Sequence, residues 1–242
     1  MTSSPSCHPW LAAGLALYLT AAVFLSLRGF RHTTSPLPTA TREQLGQWMR
    51  TSLASFEPVL LRLGVSPTLL TLTQLGMSLL AGVAYAGGCI FIGGWLSLGC
   101  GVLDLLDGGL ARRTARVSRR GAFLDSVIDR YAEFFTFCGL GVFFSSSWIL
   151  WVVACGFLGS MMVSYTRARA EGLGVECRGG LMQRGERYVL LGVSSFLSTV
   201  LNHLLCRPTH DGLIVGLLAL AILANVTALS RVRVVLAALR EQ

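Results

Sequence analysis

Seven apolar runs, each near the length of a membrane span, alternate with polar segments along the chain. They cover about Trp10–Leu27, Pro67–Ala86, Gly88–Leu106, Phe123–Phe144, Trp148–Val163, Tyr188–Leu205 and Leu213–Leu229. A helix needs roughly 20 apolar residues to cross the hydrocarbon core. None of the runs shows the two-residue alternation of a barrel strand, so helices must satisfy the backbone within lipid. The reading is all-α and polytopic. Between the first two runs, Gly29–Thr41 reads as a linker, marked by Ser35-Pro36-Leu37-Pro38. Residues Thr41–Leu63 space Leu45, Trp48, Met49, Leu53, Phe56, Val59, Leu60 and Leu63 among polar positions, as an amphipathic helix along the membrane surface would. The predicted division is therefore an N-terminal transmembrane anchor and linker at 1–40, a juxtamembrane amphipathic helix at 41–64, and a six-helix membrane domain at 65–242.

Composition supports the membrane reading. Of the 242 residues, 53% are hydrophobic and only 13% charged, about half the charged fraction of a soluble domain; the mean hydropathy is +0.63. The net charge of +8 comes entirely from arginine on the basic side. Such an excess would suit nucleic acid if it were spread over one surface. Here the arginines fall in alternate junctions instead: Arg28 to Arg62, Arg112 to Arg130, Arg167 to Arg187, and Arg231 to Arg240. The remaining turns carry only Arg207. That asymmetry places the basic junctions in the cytoplasm, with the N-terminus outside and the C-terminus inside, and no nucleic-acid partner is expected. The first run lacks a basic residue before it, so it reads as a retained anchor and not as a secretory signal. Seven cysteines without a CxxC pair, and four isolated histidines, offer no metal spacing.

The candidate chemistry lies in Leu103–Arg130. Asp104, Asp107, Gly108 and Ala111 follow i, i+3, i+4, i+7 and share one helical face. Gly121, Asp125 and Asp129 follow i, i+4, i+8 and share another. Carboxylates at membrane depth are costly unless partnered and functional. Four of them pointing at one centre would resist ionisation without cations. Hard divalent ions, Mg²⁺ or Mn²⁺, take oxygen ligands and leave positions open for phosphate oxygens. Glycines on the same faces let a ligand approach the backbone. Arg112, Arg113, Arg116, Arg119 and Arg120, expected in the turn between the helices, suit phosphate. The chemistry implied is metal-assisted transfer at phosphorus.

Asp104-x2-Asp107-Gly108-x2-Ala111-Arg112-x8-Gly121-x3-Asp125-x3-Asp129 resembles the complete signature of the CDP-alcohol phosphotransferases, with all eight positions at the family spacing. The resemblance implies a six-helix core in a homodimer and two divalent metal ions. It makes Asp104, Asp107 and Asp125 the main ligands, with Asp129 bridging metal and acceptor as general base. Gly108, Ala111, Arg112 and Gly121 would line the CDP site. Pro67 and Thr71 resemble a Pro-Asn-x-x-Thr segment bordering the nucleotide, with Thr68 standing in place of the asparagine.

Downstream, Ser164 to Glu171 and Gly180 to Arg187 resemble phosphatidylinositol-phosphate synthases and their archaeal counterparts, although Gly185 replaces the usual proline. By that resemblance Arg167, Arg184 and Arg231 bind the phosphate of the acceptor. The expected reaction transfers a phosphatidyl group from CDP-diacylglycerol to an alcohol, with inositol phosphate favoured, and releases CMP. A glycerol phosphate or an unphosphorylated alcohol remains an alternative acceptor. Outside the family, an aspartate-rich membrane prenyltransferase and a metal transporter are the competing readings.

Overall fold

A computed structural model of the protein describes residues 57–113, 118–177, 182–205 and 209–240. The expected anchor and linker, and most of the amphipathic segment, lie outside these residues. Seven helices are described: α1 (Glu57–Arg62), α2 (Pro67–Ala86), α3 (Ile90–Arg113), α4 (Arg119–Phe143), α5 (Ile149–Gly172), α6 (Arg184–Leu205) and α7 (Asp211–Arg240). Five of them, all but α1 and the more charged α4, are by length and composition alone fit to cross a membrane. The protein is an integral membrane protein.

Local chemistry explains several boundaries. Ser66 caps α2, its Oγ accepting from the Leu69 N–H at 3.2 Å, and Pro67 takes the first helical position. Ser118 caps α4 in the same way through the Gly121 N–H at 3.0 Å. Between α2 and α3 the chain reverses through Gly88, whose φ of 77° lies in the left-handed region.

The helices outrun their apolar stretches, and they do so chiefly at one end. α3 continues to Arg113, α4 begins at Arg119, α5 reaches Gly172, α6 starts at Arg184 and α7 reaches Arg240. Arg112, Arg113, Arg119 and Arg120 therefore belong to helix ends and not to the expected turn. Hydropathy reports the thickness of lipid a segment crosses. The hydrogen-bond ladder continues beyond it through arginine, alanine and leucine, all good helix formers.

The six long helices close a ring in which α2 packs on α3 and α4, α3 on α6, α6 on α7, α7 on α5, and α5 on α4. Sequence neighbours are thus not always spatial neighbours: α6 lies between α3 and α7. Close approach is set by small residues, as usual where lipid supplies no hydrophobic drive between helices. A Cβ on Gly139 of α4 would collide with the Gly82 carbonyl of α2. The core gathers Tyr85, Phe137, Leu140, Val153, Leu191, Leu213, Leu217 and Leu220. Large apolar side chains such as Leu80, Val83, Trp151, Leu158, Ile222 and Leu229 point outward, as lipid-facing residues do.

Candidate active site

All the arginine-rich helix ends meet at one end of the ring. There the end of α3, the start of α4 and the first turns of α2 and α6 converge. Asp107 and Asp129 are buried, and Asp104 and Asp125 are half-buried. Carboxylates gathered in this way repel one another unless cations or protons intervene. Two faces read separately along the chain therefore confront each other in space.

Arg184, in the first turn of α6, joins them. Its Nη1 donates to Asp104 Oδ1 at 2.7 Å and also contacts Asp129 Oδ2. Those two oxygens are consequently within two hydrogen-bond lengths of each other. Arg130 Nη1 approaches the same Asp129 oxygen at 3.5 Å, and the Arg184 guanidinium lies 5.9 Å from the Tyr188 ring centroid. Both cations thus engage Asp129 Oδ2. Asp129 Oδ1 and Asp125 Oδ1 are buried with no hydrogen-bond partner among the described residues. Buried carboxylate oxygens without donors are the ligands hard divalent cations take. Among the described residues, no three acidic, imidazole or thiol side chains yet form a closed metal-ligand set. The guanidinium of Arg184 sits between the two helices instead.

Thr71, expected at the nucleotide, turns toward the carboxylates: its Oγ1 lies 3.2 Å from Asp107 Oδ2 and 3.1 Å from the Pro67 carbonyl. Gly108 and Gly121 are half-buried on the aspartate faces. Ala111 and Arg112 occupy the last turn of α3, where only the backbone is described.

The three arginines expected at the acceptor's phosphate have different surroundings. Arg184 is in the centre. Arg231 is buried on α7, its Nη1 donating to the Val163 carbonyl of α5. Arg167 is exposed and pairs with Glu171 at 2.9 Å along α5. Each is engaged within the protein, and Arg184 is engaged by the aspartates themselves.

One pair went unread in the sequence. Glu133 and Arg187 are both buried, and Arg187 Nη2 contacts Glu133 Oε1. The signal was available: Glu133 continues the Gly121, Asp125, Asp129 ladder by one more step of four, and Arg187 lies three residues after Arg184.

A helical membrane bundle with opposed aspartate pairs and arginines at one mouth defines a membrane enzyme suited to phosphate chemistry. The chain belongs to the CDP-alcohol phosphatidyltransferase family, whose model matches residues 64–229. This excludes the prenyltransferase and transporter readings. It is 31% identical over 176 residues to the archaetidylinositol phosphate synthase of Methanothermobacter thermautotrophicus, covering 69% of this chain and 84% of that one. It is 35% identical over 173 residues to the enzyme of the same name from Pyrococcus horikoshii, covering 70% and 83%. The fold is similar to crystal structures of Mycobacterium tuberculosis phosphatidylinositol phosphate synthase. The complex with manganese and citrate gives a TM-score of 0.65 at 26% identity, covering 76% of this chain and 88% of that one. The form with CDP-DAG bound gives 0.65 at 26%, covering 76% and 92%.

Proposed function

We propose that the protein transfers a phosphatidyl group from CDP-diacylglycerol to an inositol phosphate, releasing CMP, at a centre facing the cytoplasm. The observation that supports this reading is the contact of Arg184 with Asp104 and Asp129: a guanidinium, a group suited to phosphate, lies against the carboxylates. The support for the substrates is the manganese and CDP-DAG complexes of the mycobacterial neighbour and the inositol-phosphate chemistry in its relatives' names.

In this reading Asp104, Asp107, Asp125 and Asp129 hold two divalent ions, Mg²⁺ or Mn²⁺. Bound there, the ions would neutralise the diphosphate and the departing charge. The orphaned Asp125 Oδ1 and Asp129 Oδ1 fit that role. Asp129, bridging metal and acceptor, takes the proton of the acceptor hydroxyl. The acceptor oxygen bonds to the β-phosphorus as the bond from that phosphorus to the bridging oxygen breaks, and CMP departs with the electron pair. Pro67, Thr71, Gly108, Ala111, Arg112 and Gly121 line the CDP side, and Arg184, Arg167 and Arg231 serve the acceptor's phosphate. The arginine-rich helix ends support the cytoplasmic orientation. The homodimer implied by the family resemblance belongs to the same proposal.

The test combines one variant with one panel. Asp129→Asn should lower kcat for CMP release by about 10²–10⁴-fold, the usual contribution of a general base, while CDP-lipid binding persists. Among inositol phosphate, glycerol phosphate, free inositol and serine, the first should be the preferred acceptor. Near-full activity of Asp129→Asn rules out the base assignment, and preference for an unphosphorylated alcohol rules out the acceptor.

A further inference from the structure

Beneath the aspartate centre lies an ion pair that the proposed chemistry does not use. Glu133 sits one turn deeper than Asp129 on α4, and Arg187 sits just under one turn deeper than Arg184 on α6. Both are almost fully enclosed, at 4% and 3% exposure. Stability does not account for them. A buried ion pair offsets its desolvation only when its remaining lone pairs and protons are also satisfied. Here Glu133 Oε2 and Arg187 Nε find no hydrogen-bond partner among the described residues.

Position accounts for them better. α4 and α6 are not among the extensively packed neighbours of the ring, yet Asp129 on one and Arg184 on the other must meet. The Arg187–Glu133 contact ties them together one turn away from that meeting point. Arg187 Nη1 also reaches back to the Met182 carbonyl at 3.4 Å, and the Met182 N–H donates to Thr227 Oγ1 of α7 at 3.1 Å. The entry to α6 is therefore held from α4 through a charge and from α7 through a hydroxyl. Arg184 projects from the turn so fixed.

We propose that Glu133 and Arg187 form a positioning pair that fixes the first turn of α6, so that Arg184 is presented to the acceptor's phosphate beside Asp129. This deepens the functional reading above and rests on it. Neither residue touches the reacting atoms. They act through Arg184, and their loss should appear in acceptor affinity before it appears in CDP-lipid affinity.

The experiment uses the full-length enzyme in detergent, with CMP release measured while inositol phosphate and CDP-diacylglycerol are varied in turn. Glu133→Gln should raise the acceptor KM about tenfold, the lower range for losing a supporting contact, and leave the CDP-lipid KM within about twofold. Thermal unfolding of the same samples reports whether the protein is folded. If Glu133→Gln does not fold, Glu133→Asp decides. It keeps the charge but withdraws the carboxylate by one methylene, and should raise the acceptor KM less steeply. Arg184→Gln is measured beside them. An unchanged acceptor KM in Arg184→Gln overturns the functional reading itself. A raised KM in Arg184→Gln with wild-type acceptor KM in the folded Glu133 variant overturns the positioning proposal alone.

Discussion

Replacing Thr71 with valine removes one hydroxyl and preserves the shape of a fully packed side chain. Thr71 and Asp107 are each 5% exposed, so no bulk water stands ready to replace what is lost. The hydroxyl has a single proton and two acceptors in reach, Asp107 Oδ2 at 3.2 Å and the Pro67 carbonyl at 3.1 Å. A hydrogen bond to a charged group contributes about 1.5–3 kcal/mol, and sharing the proton argues for the lower end, near 1.5 kcal/mol. That energy corresponds to about a tenfold change in an equilibrium constant, which matches the lower range for removing a partner that orients a metal-binding carboxylate. The assay is CMP release titrated with Mn²⁺. The concentration giving half-maximal activity should rise about tenfold in Thr71→Val, while Thr71→Ser, which keeps the hydroxyl, should stay near wild type. A Thr71→Val enzyme with a wild-type Mn²⁺ profile but a raised KM for CDP-lipid would refute the reasoning. It would leave Thr71 with the nucleotide contact expected from the sequence and no part in orienting Asp107.

Two further outcomes test the frame around the site. Gly139→Val should destabilise the detergent-solubilised protein by about 3 kcal/mol or more, because the new Cβ meets the Gly82 carbonyl, which is backbone and cannot rotate away; an unchanged unfolding midpoint contradicts the close α2–α4 crossing. His210, in the loop before α7, has its imidazole pushed below the usual value by burial, with Asp211 acting the other way. The unfolded chain then binds more protons than the folded one, so stability rises with pH through this window and falls as pH drops below about 6.5. Comparing unfolding midpoints with His210→Asn, which also tolerates the φ of 54°, should show a steeper acid loss in wild type. Parallel pH profiles would count against a half-buried imidazole held toward its neutral form.

Read alone, the sequence determined the membrane class, the approximate span of each described transmembrane helix and the two aspartate faces. All three are local: a span is a length of apolar residues, and a face is a spacing of three or four. The family signature was equally legible, being a fixed spacing within one stretch of chain. Helix ends were not, because hydropathy ceases to report once a helix leaves lipid. The rotation and neighbours of each helix were decided only by tertiary packing. Arg184 meets Asp104 across 80 residues, and Arg187 meets Glu133 across 54; nothing in either local pattern sets that pairing. Ring closure brings α6 beside α3 and within reach of α4, and it directs Arg184 to the aspartates and Arg231 to the Val163 carbonyl, whereas the Arg167–Glu171 pair is a local i,i+4 contact along α5. Local spacing specifies which side chains share a face, whereas the packing of backbone against backbone at positions such as Gly82 and Gly139 settles which faces confront each other.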